Sequence, residues 1–146
     1  MANAKNDYPE LLLENQLCFP LYACSKEIIK RYRPFLDELE LTYTQYLVML
    51  VLWERQSLSS KELGQALYLD SGTLTPVLKK LEEKGLLSRR RSGDDERNLI
   101  VSISEAGEEL KHRAAQVPQS LASCVKLDES EARELYRLLY KFLGSL

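Results

Sequence analysis

The sequence is poor in the residues that build metal centres and disulfide frameworks. It contains a single histidine, His112, and an odd number of cysteines, Cys18, Cys24 and Cys124, which lack the spacing of zinc ligands. No run of about eighteen apolar residues is present to span a membrane, and no basic segment followed by an apolar one indicates a secretion signal. These absences predict a cytoplasmic protein that uses no metal and no cofactor and does not enter a membrane.

Positive charge is concentrated in the middle of the chain. The whole sequence has a net charge of −2, which argues against a protein that coats nucleic acid over its whole surface. Residues 71–100 nevertheless carry seven basic and five acidic side chains, whereas the segments before and after them are net negative. Such a segment is either a solvated charged face or a local phosphate-binding surface, and charge alone favours the first interpretation.

Apolar periodicity predicts a long first helix over residues 9–33. Pro20 lies inside it and is expected to bend it, because proline removes one backbone hydrogen bond. The stretch "RPFLDELELT" is then expected to be a short connection. Thr42 or Thr44 is expected to cap a second helix that is largely buried.

The next segment predicts two short helices joined by a tight turn. Ser60 is expected to cap the first, which runs to Leu67, and Ser71 is expected to cap the second, which ends at Gly85. Apolar residues recur in the second helix at i, i+3, i+4 and i+7, at Leu74, Val77, Leu78 and Leu81. This order is typical of a helix-turn-helix unit.

After Gly85 the apolar period changes to that of strands. Residues 87–91 and 99–103 flank the polar stretch "SGDDERN", which predicts a β-hairpin. A helix-turn-helix followed by a hairpin is a winged helix. We therefore predict a mainly α (α+β) fold built on a winged helix-turn-helix.

Two further helices are predicted after the hairpin. Ser104 caps the first, which runs to about Val117, where Pro118 interrupts or kinks it, and "DESE" at 128–131 is a capping box for the last. The chain is thus predicted to be one domain. Its winged helix covers about residues 43–104, and helices for dimerisation cover about residues 8–36 and 105–146.

The winged helix predicts a DNA-binding surface. A recognition helix presents its polar face to the major groove, and a basic hairpin reaches the adjacent minor groove. Arg97 is the cation expected to enter the minor groove, with Asp95 fixing the direction of its guanidinium. The predicted DNA-binding residues are Ser71, Thr73, Thr75, Pro76, Lys79, Lys80, Arg89, Arg90, Arg91, Asp95 and Arg97.

One such module has a small contact area and reads half a site. A homodimer on a near-palindromic double-stranded operator is therefore expected, with the two recognition helices about 34 Å apart.

Four stretches carry a resemblance to a known family. They are "LENQLCFPLYACSKEI" at 13–28, "LTYTQYLVMLVLWE" at 41–54, "LYLDSGTLTPVLKKLE" at 67–82 and "DDERNLIVSISEAG" at 94–107. Together they resemble the MarR family of transcriptional regulators, and "NQLCF" and "LDSGTLTP" resemble its OhrR branch of organic hydroperoxide-sensing repressors. Pro20 departs from the residue that is common at its position in that branch.

The resemblance implies a redox-sensing repressor rather than an enzyme. Cys18 takes the position of the peroxide-reactive thiol, with organic hydroperoxides as oxidant, and Tyr22 and Tyr32 take the positions of tyrosines that assist it. Cys124 is a possible resolving cysteine that forms a disulfide with Cys18 between subunits; otherwise a small thiol caps Cys18. Cys24 is assigned to packing.

Helix geometry indicates that the tyrosine beside each Cys18 comes from the partner subunit. Fourteen residues make nearly four turns, so Cys18 and Tyr32 share a face but lie roughly 20 Å apart along the helix. Tyr32 is therefore expected to reach the partner's Cys18 and not its own.

Three other interpretations remain. Cys18 can be a small buried apolar residue with the tyrosines as packing. The protein can be a MarR-type repressor released by a small phenolic ligand. It can also be a thiol peroxidase, although no βαβ layout of the thioredoxin kind is present.

Overall fold

A computed structural model shows a winged helix flanked by further helices. It describes residues 8–93 and 98–146. The elements, in chain order, are α1 (Cys18–Asp37), α2 (Tyr43–Arg55), β1 (Ser57–Ser59), α3 (Ser60–Leu67), α4 (Ser71–Glu83), β2 (Leu87–Arg91), β3 (Leu99–Ile103), α5 (Glu105–Ala114), α6 (Val117–Ala122) and α7 (Glu129–Leu143). The predicted mainly α fold and its winged helix are confirmed.

The first helix begins nine residues later than the sequence predicted. Residues 9–11 and 13–15 form two short 3₁₀ turns, and α1 starts at Cys18. The side chain of Asn15 donates to the carbonyl of Pro9 at 2.7 Å, and that of Gln16 donates to the carbonyl of Glu10 at 2.6 Å. These bonds hold the turns in place of a helix. Pro20 therefore lies in the first turn of α1, where its missing N–H needs no partner, and the predicted bend is wrong.

The same helix also ends later than predicted. It continues through Pro34 to Asp37, so half of the predicted connection, residues 33–37 of 33–42, is helical. Pro34 removes one hydrogen bond, but burial of Leu36 and Leu39 anchors the last turn. The N–H groups of Leu39 and Leu41 both donate to the carbonyl of Leu36 at 3.0 Å, which completes the end of the helix.

Two predicted helix caps are displaced by one residue. Ser59, not Ser60, caps α3, because its hydroxyl accepts from the Glu62 N–H at 3.1 Å while the Glu62 carboxylate accepts from the Ser59 N–H at 2.9 Å. Asp70, not Ser71, caps α4 and accepts from the Thr73 N–H at 2.8 Å. In both cases a side chain one position earlier already satisfies the free N–H groups.

Three other predicted starts are confirmed. Thr42 begins α2 with a capping box that Gln45 completes, Ser104 caps α5, and Asp128 with Glu131 forms the capping box of α7. The predicted end of α5 near Val117 is wrong, since α5 stops at Ala114. Pro118 lies in the first turn of the separate helix α6, a position that proline favours.

The predicted hairpin is present, and a third strand extends it. β2 and β3 are antiparallel, with Arg89 opposite Val101, and β1 pairs with the other edge of β3 to give the order β1-β3-β2. β1 was not predicted because three residues are too few to show a strand period.

The core lies beneath the winged helix. Its fully buried side chains come from α1 to α4 and β3 and are Leu36, Val48, Met49, Leu52, Leu63, Leu78, Leu81 and Val101. No residue of α7 is buried. No helix among residues 8–93 and 98–146 has the length and apolar character needed to cross a membrane.

Candidate functional site

α4 separates an apolar face from a polar one. Leu74, Leu78 and Leu81 are buried, and Val77 packs partly against the same core. The predicted contact residues on the other side are all exposed: Ser71, Thr73, Thr75, Pro76, Lys79 and Lys80. The helix therefore presents hydroxyl groups near its N-terminus and two ammonium groups farther along, the arrangement expected of a recognition helix.

The turn before α4 adds a residue that the sequence analysis missed. Tyr68 ends α3 in the left-handed backbone region, with φ of 55°, and its side chain is 74% exposed. It lines an open groove between α3 and α4 together with Lys61, Gln65 and Thr75. No periodic pattern marks such a residue, because its exposure follows from the left-handed turn.

The basic residues of the middle segment divide into two groups. Lys84 donates to the Glu40 carbonyl and to the side-chain oxygen of Gln45, the latter at 3.1 Å, so it ties α4 to the start of α2. Arg89 is held by Glu82, as described below. Lys79, Lys80, Arg90 and Arg91 are exposed and form no ion pair with any described residue.

Arg89 points back to the recognition helix. Its N–H donates to one carboxylate oxygen of Glu82 at 2.9 Å, and its guanidinium donates to the other at 2.8 and 3.0 Å. These hydrogen bonds lower the pKa of Glu82, which keeps the carboxylate charged. Asp95 and Arg97, the pair predicted for the hairpin tip, lie outside the described residues.

Cys18 is exposed at the N-terminus of α1. Its neighbours Leu17 and Phe19 are exposed as well, Leu17 by 73%. Cys18 is therefore not buried by its own chain, and burial at a subunit interface, with the tyrosines as packing there, stays the alternative to a reactive thiol. Cys24 and Cys124 are exposed too, and all three thiols are free.

The two tyrosines of α1 have different surroundings. Tyr22 is 60% exposed, and the Lys26 ammonium lies 5.1 Å from the centre of its ring. Tyr32 packs against Tyr43 and Tyr46, with ring centres 4.8 and 5.9 Å away. Burial, helped by the two neighbouring phenols, raises the pKa of Tyr32 to about 12, so its hydroxyl stays protonated and can donate a hydrogen bond.

Exposed apolar side chains cover both ends of the chain. In α7 they are Leu135, Tyr136, Leu138, Leu139 and Tyr140, and near the N-terminus they are Leu11, Leu13, Leu17 and Phe19. Exposure on this scale is unusual for a stable single chain. Cys18 lies within the N-terminal group.

Comparison with known proteins identifies the family. A family model described as the transcriptional regulator SarA/Rot matches residues 25–114. The organic hydroperoxide resistance transcriptional regulator of Bacillus subtilis (strain 168) is 46% identical over 142 residues, 97% of each chain. The chain belongs to the MarR family of transcriptional regulators.

Two further relatives agree with this assignment. The regulator SarZ of Staphylococcus saprophyticus is 44% identical over 90% of each chain. The structure of reduced AbfR bound to DNA matches 91% of each chain with a TM-score of 0.78 and 34% identity, and disulfide-formed AbfR matches with a TM-score of 0.62 and 34% identity. This MarR-family protein is a DNA-binding transcriptional regulator and not an enzyme, so the thiol peroxidase interpretation is excluded.

Proposed function

We propose that the protein is a homodimeric repressor that releases its operator when an organic hydroperoxide oxidises Cys18. The observation that carries this proposal is an exposed thiol at a helix N-terminus, set among exposed apolar side chains. Its relative in Bacillus subtilis is an organic hydroperoxide resistance regulator, which supports the choice of oxidant. The regulator acts where the DNA lies, in the cytoplasm.

The dimer is proposed to form through α7 and the N-terminal segment. Neither buries its apolar residues within one chain, and a partner subunit supplies the missing surface. An antiparallel arrangement of the two α1 helices brings Tyr32 of one subunit towards the partner's Cys18. Tyr32 then donates a hydrogen bond to the sulfur. Tyr22, which is exposed near the start of the same helix, assists the thiol as well.

DNA binding is proposed to use three groups of residues. Ser71, Thr73, Thr75 and Pro76 face base edges and the nearest phosphates in the major groove, while Lys79 and Lys80 neutralise phosphates. Arg90 and Arg91 contact the backbone from the hairpin. The predicted minor-groove role of Arg97, oriented by Asp95, belongs to this proposal.

The sensing reaction begins at the thiolate form of Cys18. The positive end of the α1 dipole, where Cys18 lies, and a donating phenol both favour negative charge on the sulfur. The sulfur attacks the outer oxygen of the hydroperoxide, the O–O bond breaks, and the departing alkoxide takes up a proton. The products are a cysteine sulfenic acid and an alcohol. Apolar side chains beside Cys18 favour an organic peroxide over hydrogen peroxide.

A second thiol completes the switch. The sulfenic acid condenses with a thiol, and a disulfide and one water molecule form. Cys124 of the partner is the proposed thiol, because it is exposed in the segment between α6 and α7 next to the proposed interface. AbfR exists in a disulfide form, which supports this route. A small cellular thiol is the alternative.

The resulting disulfide constrains two backbones to lie within about 7 Å of each other. The α1 helices move, and with them the spacing of the two recognition helices. Losing operator-specific contacts costs about 4–10 kcal/mol, which is enough for release.

The test compares wild type with two single replacements, Cys18→Ser and Cys24→Ser. A duplex that the reduced protein binds is first selected from a random pool, and its affinity is measured by fluorescence anisotropy before and after cumene hydroperoxide. We expect wild type and Cys24→Ser to release the duplex on oxidation and Cys18→Ser to stay bound. Release of Cys18→Ser by peroxide would contradict the redox function and leave the phenolic-ligand repressor as the better interpretation.

Mass spectrometry of the oxidised protein distinguishes the fates of Cys18. A peptide joining Cys18 to Cys124 between subunits is expected for wild type and not for Cys124→Ser. An adduct of added small thiol on Cys18 in wild type, without the joined peptide, would contradict the resolving role of Cys124 alone.

A further inference from the structure

The guanidinium of Arg89 connects two elements that approach DNA separately. Glu82 lies in the last turn of α4, and Arg89 is the third residue of β2, beyond the turn at Gly85. Three hydrogen bonds of 2.8–3.0 Å join them, two from the guanidinium and one from the backbone N–H. The connection thus fixes both the side chain and the main chain of β2 relative to the recognition helix.

The geometry suits positioning better than phosphate binding. The Arg89 side chain is 21% exposed, whereas its neighbours Arg90 and Arg91 are exposed and have no ion pair with a described residue. Glu82 takes two of the five N–H donors of the guanidinium and neutralises its charge, which weakens its attraction for a phosphate. Glu82, moreover, places a negative charge beside a surface that must receive DNA.

We propose that Glu82 and Arg89 are positioning residues for DNA binding: their paired hydrogen bonds hold β2 at the angle to α4 that lets Arg90 and Arg91 reach the backbone. Arg89 acts through this pair and not through a phosphate. Glu82 thus orients β2, which explains why a negative charge lies beside a DNA-binding surface.

Positioning and simple electrostatics predict opposite changes in DNA affinity when Glu82 is replaced. Glu82→Ala removes a negative charge and frees Arg89, so a phosphate-binding Arg89 predicts tighter binding to the selected duplex. Loss of positioning predicts weaker binding, by about tenfold at moderate salt. Glu83→Ala is the matched control, because Glu83 is the next residue of α4, is exposed, and has no ion pair with a described residue.

A double-mutant cycle separates positioning from a general loss of stability. Arg89→Ala is expected to weaken binding about as much as Glu82→Ala, and the double variant no more than either, since each removes the same connection. Arg89→Lys is expected to stay weak, because an ammonium keeps the charge but cannot make the two-nitrogen contact. Thermal unfolding of each variant, followed by circular dichroism, identifies those that fail to fold; Arg89→Lys then carries the test.

Hydroxyl-radical footprinting distinguishes lost positioning from a loss of folded protein, because a smaller amount of folded protein does not change which positions of the duplex are protected. At concentrations that saturate the duplex, Glu82→Ala should lose protection where the hairpin lies and keep the protection at the recognition helices. The proposal is overturned if Glu82→Ala binds as tightly as Glu83→Ala, if the two single losses add in the double variant, or if Arg89→Lys binds like wild type.

Discussion

Replacing Gly107 with alanine tests how α5 is docked against the end of the recognition helix. Gly107 is the third residue of α5, and a Cβ there would lie 2.1 Å from the Leu86 carbonyl oxygen and 2.9 Å from Cγ1 of Ile103. Contacts this short do not occur, so α5 or the turn at residues 85–86 must move. The turn directly follows α4, and the displacement therefore reaches the DNA-binding surface.

The expected magnitude follows from the bonds around Gly107. In a helix without neighbours, glycine to alanine stabilises by about 1 kcal/mol. Here overpacking costs about 1–3 kcal/mol. The Gly107 carbonyl also accepts from the Trp53 indole at 2.8 Å, and its N–H donates to the Ser104 cap at 3.0 Å. Weakening either bond costs about 1 kcal/mol more. With one of these bonds weakened, the net loss of stability is about 1–3 kcal/mol.

The assay is urea unfolding followed by far-ultraviolet circular dichroism at one fixed protein concentration, because a dimer's stability depends on concentration. Gly93→Ala is the control: among residues 8–93 and 98–146 no atom lies within 4 Å of a Cβ built there, its chain neighbours aside, and we expect a change close to zero. Our account of the α5 contact is refuted if Gly107→Ala is as stable as wild type or more stable.

Three further predictions concern charge, ionisation and assembly. Replacing both Arg90 and Arg91 with alanine should reduce the slope of log affinity against log salt by about 2 to 4 per dimer, while Lys141→Ala on α7 leaves the slope unchanged. Tyr32→Phe should remove one phenol from the absorbance step near 295 nm with its midpoint at about pH 12. Folding raises the pKa of Tyr32 above its ordinary value near 10. The contribution of the protonated phenol to folding stability is therefore complete below about pH 10 and is lost as the pH rises through about 12. Leu138→Asp should convert the dimer to monomers in sedimentation velocity and weaken operator binding; an unchanged dimer would contradict the assignment of α7 to the interface.

The sequence predicted the winged helix well because that part depends on local signals. The apolar period of α4, the glycine at its end and the alternation of β2 and β3 are all properties of neighbouring residues. Exposure of the polar face of α4 follows directly from the same period.

The start of α1 could not be read from that period. The leucines before α1 recur at helical spacing, yet the side chains of Asn15 and Gln16 donate to carbonyls four or six residues earlier and hold 3₁₀ turns. Arg89 illustrates a second limit. Three consecutive arginines look alike in sequence, and only the approach of β2 to α4 distinguishes the one that Glu82 engages.

This difference among the arginines changes how the DNA-binding surface is understood. The sequence alone allows the basic segment to be either a solvated face or a phosphate-binding surface. The structure separates its cations into two groups. Lys84 and Arg89 stabilise the arrangement of α2, α4 and β2, whereas Lys79, Lys80, Arg90 and Arg91 are exposed, have no ion pair with a described residue, and are the cations proposed to contact DNA. Because Glu82 neutralises Arg89 and the Lys84 ammonium is bonded to oxygens of Glu40 and Gln45, fewer cations project freely than the sequence indicates. The positioning that we propose for Glu82 and Arg89 makes specific binding depend on how accurately α4 and the hairpin are held relative to each other, and less on the total positive charge.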